Sequence, residues 1–289
     1  MRESSNPIMR GVVRDNKKDA GGYASFGQGL AGAGQASMAA GQQQYTDQYT
    51  QGYVPQTGAR PLTIDDVVTK TAMTLGVLTL VALGAYFAID QQASLATPLM
   101  AVGAIGGLVL VLIATFGRKQ DNPAIVLSYA AFEGLFVGSI SYVFGNWVIT
   151  GDTSAGALIG QAVLGTFGVF FGMLVVYKVG AIRVTPRFTR MLMAGMIGVL
   201  VLMLGNLVIG LFTGSAGVLR DGGPIAIIFS LVCIALAAFS FLLDFDQADE
   251  LIRAGAPSKA AWGVALGLTV TLVWLYVEIL RLLSYFNSD

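Results

Sequence analysis

The chain contains no histidine, and that one absence removes Ser-His hydrolysis, HExxH zinc chemistry and imidazole pH sensing together. Any response to pH must then come from carboxylates. A single cysteine, Cys233, sits inside an apolar run; it can close no intramolecular disulfide and reads as a small packing residue rather than a redox centre. Charge is scarce as well, at 12% of residues, and it cancels, with 17 basic against 17 acidic side chains. Nothing global points to nucleic acid, so only the position of each sign is informative. Residues 1–60 hold no apolar core of signal-peptide length, and insertion is expected to begin with the first true span.

What the chain does have is apolar length. Hydrophobic residues make up 55% of 289 and the mean hydropathy is +0.69, outside the soluble range and inside that of polytopic membrane proteins. Residues 1–60 are the exception, with Gly, Gln, Ser, Ala and Tyr in stretches such as Gly41-Gln42-Gln43-Gln44-Tyr45. Too few aliphatics occur there to build a core, so a disordered cytoplasmic tail is expected. Order begins in residues 61–289. Thr63 and Asp66 have the spacing of a capping box and start a first helix.

Seven runs follow, at residues 72–89, 95–116, 124–148, 155–179, 191–212, 224–243 and 260–286. Each is close to or above the roughly 20 residues that carry a helix across a ~30 Å hydrocarbon layer. The fold class read from this is all-α, a polytopic membrane protein of seven transmembrane helices. Basic residues near spans tend to stay in the cytoplasm. With the N-terminus inside, fifteen of the seventeen fall on that side, leaving Arg220 and Arg281 for the outer half. The split predicts a cytoplasmic N-terminus and an external C-terminus. Glycines four apart, at Gly134 and Gly138, Gly168 and Gly172, Gly263 and Gly267, predict close helix approaches.

Acids inside the apolar runs are the candidates for function, because ionisable groups at membrane depth are costly and rare. Glu133 lies about nine residues into the third run, or ~14 Å along a helix. Asp244 and Asp246 close the sixth, with Asp249 and Glu250 expected in the loop beyond. Glu278 stands well up the seventh, followed by Arg281. Each has a plainer reading: Glu133 as a hydrogen bond holding the bundle, Asp244 and Asp246 as solvated helix-end acids, Glu278 as an intrahelical partner of Arg281 at i+3. The functional reading needs the acids to face a common interior. Thr271, Leu275 and Glu278 share one face of the seventh helix and offer a polar strip. Neighbouring, partly buried acids titrate as a pair; a proton shared by Asp244 and Asp246 would lock helices together, and losing it would expose oxygens suited to a hard cation such as Ca2+.

Three stretches carry a resemblance to a known family: Ala130-Ala131-Phe132-Glu133-Gly134-Leu135-Phe136-Val137-Gly138, Leu243-Asp244-Phe245-Asp246-Gln247 and Leu275-Tyr276-Val277-Glu278-Ile279-Leu280-Arg281-Leu282-Leu283. Over residues 60–287 the chain resembles the bacterial branch of the Bax inhibitor motif family. The resemblance implies a central seventh helix wrapped by the other six, a multi-pass place in the bacterial plasma membrane, and a pH-dependent calcium leak controlled by two aspartates. The first aspartate maps to Asp244 or to Asp246. The second maps to Thr271 or to Glu278, depending on which end of the motif is aligned. If Thr271 holds the place the usual pair is missing, and Asp244 with Asp246, or one of them with Glu133 or Glu278, would have to substitute. The family arginine at the base of the second helix corresponds to Arg118.

The expected function is a pH-sensitive cation leak, with Ca2+ as the transported ion and no cofactor. The expected partners are the bilayer and Ca2+ or H+, and no nucleic acid. A proton-coupled transporter built on the same acids is the alternative, followed by a regulatory membrane protein with no flux of its own. An enzyme is not expected: histidine is missing, no Tyr-Asp with Gly-x-Gly-Asp pairing occurs, and the seventh run offers no lysine for a retinal Schiff base.

Overall fold

The computed structural model describes residues 60–148, 154–214 and 217–287. The expected tail lies outside the described residues except for Arg60. Seven long helices follow in order: α1 Ile64–Gln91, α2 Ala96–Phe116, α3 Pro123–Val143, α4 Ala155–Lys178, α5 Pro186–Thr213, α6 Pro224–Arg253 and α7 Ala261–Phe286. All seven are long and apolar enough to cross a membrane. Among the described residues there is no sheet; Pro61 and Pro257 form an isolated antiparallel bridge.

Local chemistry sets most of the starts. Thr63 Oγ1 accepts from the Asp66 amide at 3.3 Å while Asp66 Oδ2 accepts from the Thr63 amide at 3.1 Å, so the capping box forms, an arrangement worth about 1 kcal/mol. Arg60 reaches the same carboxylate at 2.5 Å. Asn122, Ser154 and Thr185 cap α3, α4 and α5. Proline opens α3, α5 and α6, where its missing N–H costs nothing. The end of α5 is a glycine, Gly214, at φ 67°, the left-handed conformation that terminates helices.

One boundary differs from expectation. The apolar run of α6 stops at Leu243, yet the helix continues ten residues further to Arg253. Residues 244–253 contain no glycine or proline, and both arrive only with Gly255 and Pro257. Asp249 and Glu250 are therefore helical rather than in a loop.

The middle of the bundle belongs to α7. Of its apolar stretch 72% is buried, against 44% for α6 and 11% for α4 and α5. It packs against α1, α3, α4 and α6. The enclosure is less complete than six surrounding helices would give: α2 rests chiefly on α3, and α5 on α6. In lipid no hydrophobic force drives such helices together, so close packing has to hold them. A Cβ on Gly134 would come within 2.6 Å of the Leu78 carbonyl oxygen, one on Gly138 within 2.3 Å of that of Ala82, and one on Gly103 within 2.5 Å of the Phe136 nitrogen. Glycine at these positions lets α3 lie directly on α1 and α2. Gly168 and Gly172 meet nothing within 4 Å, so that pair makes no helix approach.

Between α4, α6 and α7 the packing is aromatic. Phe241 and Phe245 stack at 6.1 Å, and Phe170 meets the edge of Phe241 at 5.3 Å. The outward faces stay apolar, with Phe212 88% exposed, as a hydrocarbon solvent permits.

Candidate functional site

Asp244 and Thr271 form the polar contact at the centre of the α6–α7 interface. Thr271 Oγ1 lies 2.8 Å from Asp244 Oδ2 and 3.2 Å from its own helix's Gly267 carbonyl. Gly267 lies beside the same carboxylate: a Cβ there would stand 3.7 Å from Asp244 Oδ1, an ordinary contact distance. The flanking Phe241 and Phe245 are buried in the aromatic cluster, which fixes the rotation of α6 and turns Asp244 toward α7. Asp244 faces the seventh helix, and Thr271 is the residue opposite it.

The hydroxyl suits both charge states of its partner. With Asp244 ionised, Thr271 donates to the carboxylate. With Asp244 protonated, the acid can donate to Thr271 Oγ1, which passes its own proton to the Gly267 carbonyl. The helix contact persists either way, whereas two facing acids would repel on ionisation.

Asp246 points elsewhere. Its Oδ1 lies 3.4 Å from the Tyr177 hydroxyl, which is also 3.2 Å from Asp249 Oδ2, and it lines a polar crevice with Thr185, Arg190, Glu250 and Arg253. Asp249 is paired with Arg253 one turn on. Positions two apart on a helix are turned about 200° from each other, so Asp244 and Asp246 share neither a proton nor an ion. Among the described residues no three carboxylates or cysteines converge to hold a metal. The expected Ca2+ pair at Asp244 and Asp246 is thus corrected to a single acid with a hydroxyl partner.

Glu133 has a third environment. It sits beside Tyr129, one turn before it on α3, and its Oε1 is 3.1 Å from where a Cβ on Gly107 would be. It therefore occupies the α2–α3 seam. Glu278 is 1% exposed. Arg281 Nη1 donates to its Oε1 at 2.7 Å, and Arg220 Nη2, from the α5–α6 connection, lies 3.9 Å from the same oxygen. Its Oε2 is buried without a hydrogen bond, as is Ser230 Oγ of α6. Between Thr271 and Glu278, Leu275 is fully buried in the apolar cluster, so the expected polar strip is interrupted.

The acids consequently do not line one lumen, which corrects the ladder read from their depths. Arg118 does not pair with Asp244 either: it is exposed, at φ 52°, and makes no ion pair among the described residues. Three partners escaped the sequence reading. Tyr129 could have been found from its i, i+4 spacing to Glu133; Tyr177 and Arg220 reach across helices and leave no local signal.

Seven long apolar helices, with the last of them the most buried, define a polytopic helical membrane protein. A family model described as Bax inhibitor 1 like matches residues 7–288, and the chain belongs to the Bax inhibitor-1 family. No curated protein matches it.

Proposed function

We propose that this protein is a cation leak of the Bax inhibitor type, with Ca2+ as the permeant ion and Asp244 as the group whose protonation controls it. The observation that carries the reading is the 2.8 Å contact between Asp244 and Thr271 of the most buried helix. An ionised Asp244 has Oδ2 engaged by Thr271 and Oδ1 beside Gly267, a negative oxygen able to draw a hard cation into an otherwise apolar seam. Protonation removes that charge and leaves a neutral hydrogen-bonded contact. Flux should therefore rise with pH. The role is non-catalytic. The basic connections between spans support a cell-membrane orientation with the N-terminus cytoplasmic.

The test is Ca2+ entry into proteoliposomes between about pH 6 and about pH 8. Flux down the gradient without a co-substrate, rising with pH in the parent and flat in Asp244→Asn, supports the reading. Retained pH dependence in Asp244→Asn overturns it. Saturable flux that needs a second solute would mark a transporter instead, and no flux at all a regulatory protein.

A further inference from the structure

A cavity of about 440 Å3 lies between α1, α3, α4 and α7, away from Asp244 and from every other acid discussed above. It exists because α1 and α4 both pack on α7 without packing along one another. Its inner wall is buried, formed by Leu272, Val273 and Tyr276 of α7 with Leu78 of α1. Its mouth is flanked by exposed apolar side chains, Leu83 and Phe87 on α1 and Val163 and Phe167 on α4. All four belong to membrane-spanning helices, so the opening faces lipid. No lining residue is charged.

Thr79 and Thr166 also line the cavity, the latter with its hydroxyl given to the Ala162 carbonyl of its own helix, but the linked hydroxyls gather at one end. There Ser141 Oγ and Tyr276 Oη share a hydrogen bond of 2.7 Å. Ser141 Oγ also lies 2.6 Å from the Val137 carbonyl, so Ser141 gives its proton to that carbonyl and Tyr276 donates to Ser141. Tyr86, which lines the cavity at the same end, accepts from Asn146 at 3.3 Å and keeps its hydroxyl proton for another acceptor. From Leu75 to Phe87 the cleft follows about 18 Å of α1 at 1.5 Å per residue, close to the ~15 Å depth of one leaflet of a ~30 Å hydrocarbon core. The volume falls within the range of small-molecule sites.

We infer that this cleft is a binding site for a single acyl chain carrying an uncharged, hydrogen-bonding head, such as a monoacylglycerol, entering sideways from the bilayer. The chain lies along Leu78, Leu272 and Val273, and the head's ester or hydroxyl oxygen accepts from Tyr86. An ionised head is disfavoured because nothing in the lining compensates a charge.

The experiment uses the full chain in nanodiscs with a monoacylglycerol bearing a photoreactive group in its acyl chain, followed by peptide mapping. Labelling is expected on α1, α4 and α7 peptides facing the cleft, and competition by unlabelled monoacylglycerol should exceed competition by the fatty-acid anion or an alkane. Tyr86→Phe should weaken binding about fivefold, the effect of one hydrogen bond. Gly156→Trp is the second variant: Gly156 lines the cavity and has nothing within 4 Å of a Cβ, so the indole can occupy the cleft without displacing the backbone. It should abolish the specific labelling while the protein keeps the parent's melting behaviour. Labelling spread over the outer faces of α2 and α5 and unchanged by Gly156→Trp would identify ordinary annular lipid and overturn the site. Stronger competition by the fatty-acid anion would overturn the uncharged head.

Discussion

Asp244 and Glu278 are both acids of the α6–α7 core, and they are held in opposite ways. Glu278 is sealed in protein between two guanidiniums, Arg281 at 2.7 Å and Arg220 at 3.9 Å. Asp244 is half-buried and has a neutral hydroxyl as its side-chain partner. Losing the Glu278 carboxylate would strand two positive groups in a medium of low dielectric. Losing the Asp244 charge strands no cation, since its partner is a neutral hydroxyl. Two acids of one interface thus differ in the sign of their neighbours rather than in their depth.

The largest effect should come from breaking the ion-paired acid. Glu278→Gln leaves Arg281 and Arg220 uncompensated and should destabilise the protein by about 3 kcal/mol, read as a lowered melting temperature in detergent. Replacing Glu278 and Arg281 together by methionine should recover part of that loss; a single variant that melts like the parent would show that the pair contributes no stability. Next comes the polarity of the other site. Thr271→Asp places a second carboxylate against Asp244, and the two should titrate as a coupled pair whose second proton leaves at higher pH, so calcium flux should turn on at higher pH and over a wider interval than in the parent. An unchanged profile would mean that Asp244 and position 271 do not titrate together.

A smaller change is expected from Thr271→Val, which removes the hydroxyl but nearly preserves volume. It should cost about 1 kcal/mol in unfolding measurements and shift the pH profile without abolishing it. The smallest belongs to Asp246→Asn. Facing Tyr177 and the polar crevice rather than α7, it should leave the pH profile of flux where the parent has it; a flattened profile would transfer the switching role from Asp244 to Asp246.

Much of this architecture could be read from residues in order. Seven apolar runs gave seven spans, and Thr63 with Asp66 marked the first helical turn because both halves of a capping box lie within four residues. Facing was harder. Sequence places an acid by depth along its helix, while its direction around that helix depends on which neighbour the helix rests on. Glu133 went to the α2–α3 seam because glycines let α3 lie close on α2 and α1. The separation of Asp244 from Asp246 follows from helical period alone, and it stayed hidden because the apolar run, ending at Leu243, suggested that the helix ended there too. Arg220 lies 58 positions before Glu278 in the chain, and no local pattern reports such a pair.

The short bridge before α1 carries a consequence for assembly. The Leu62 amide donates to the Ala256 carbonyl at 2.7 Å, and the Ser258 amide to that of Arg60 at 2.9 Å. The threshold of the first helix is thus stitched to the hairpin joining the last two, a contact of very high sequence separation whose loop-closure entropy must be met late. During synthesis the segment ahead of α1 waits, unfastened, until the α6–α7 hairpin has emerged, and the stitch closes only when that hairpin arrives.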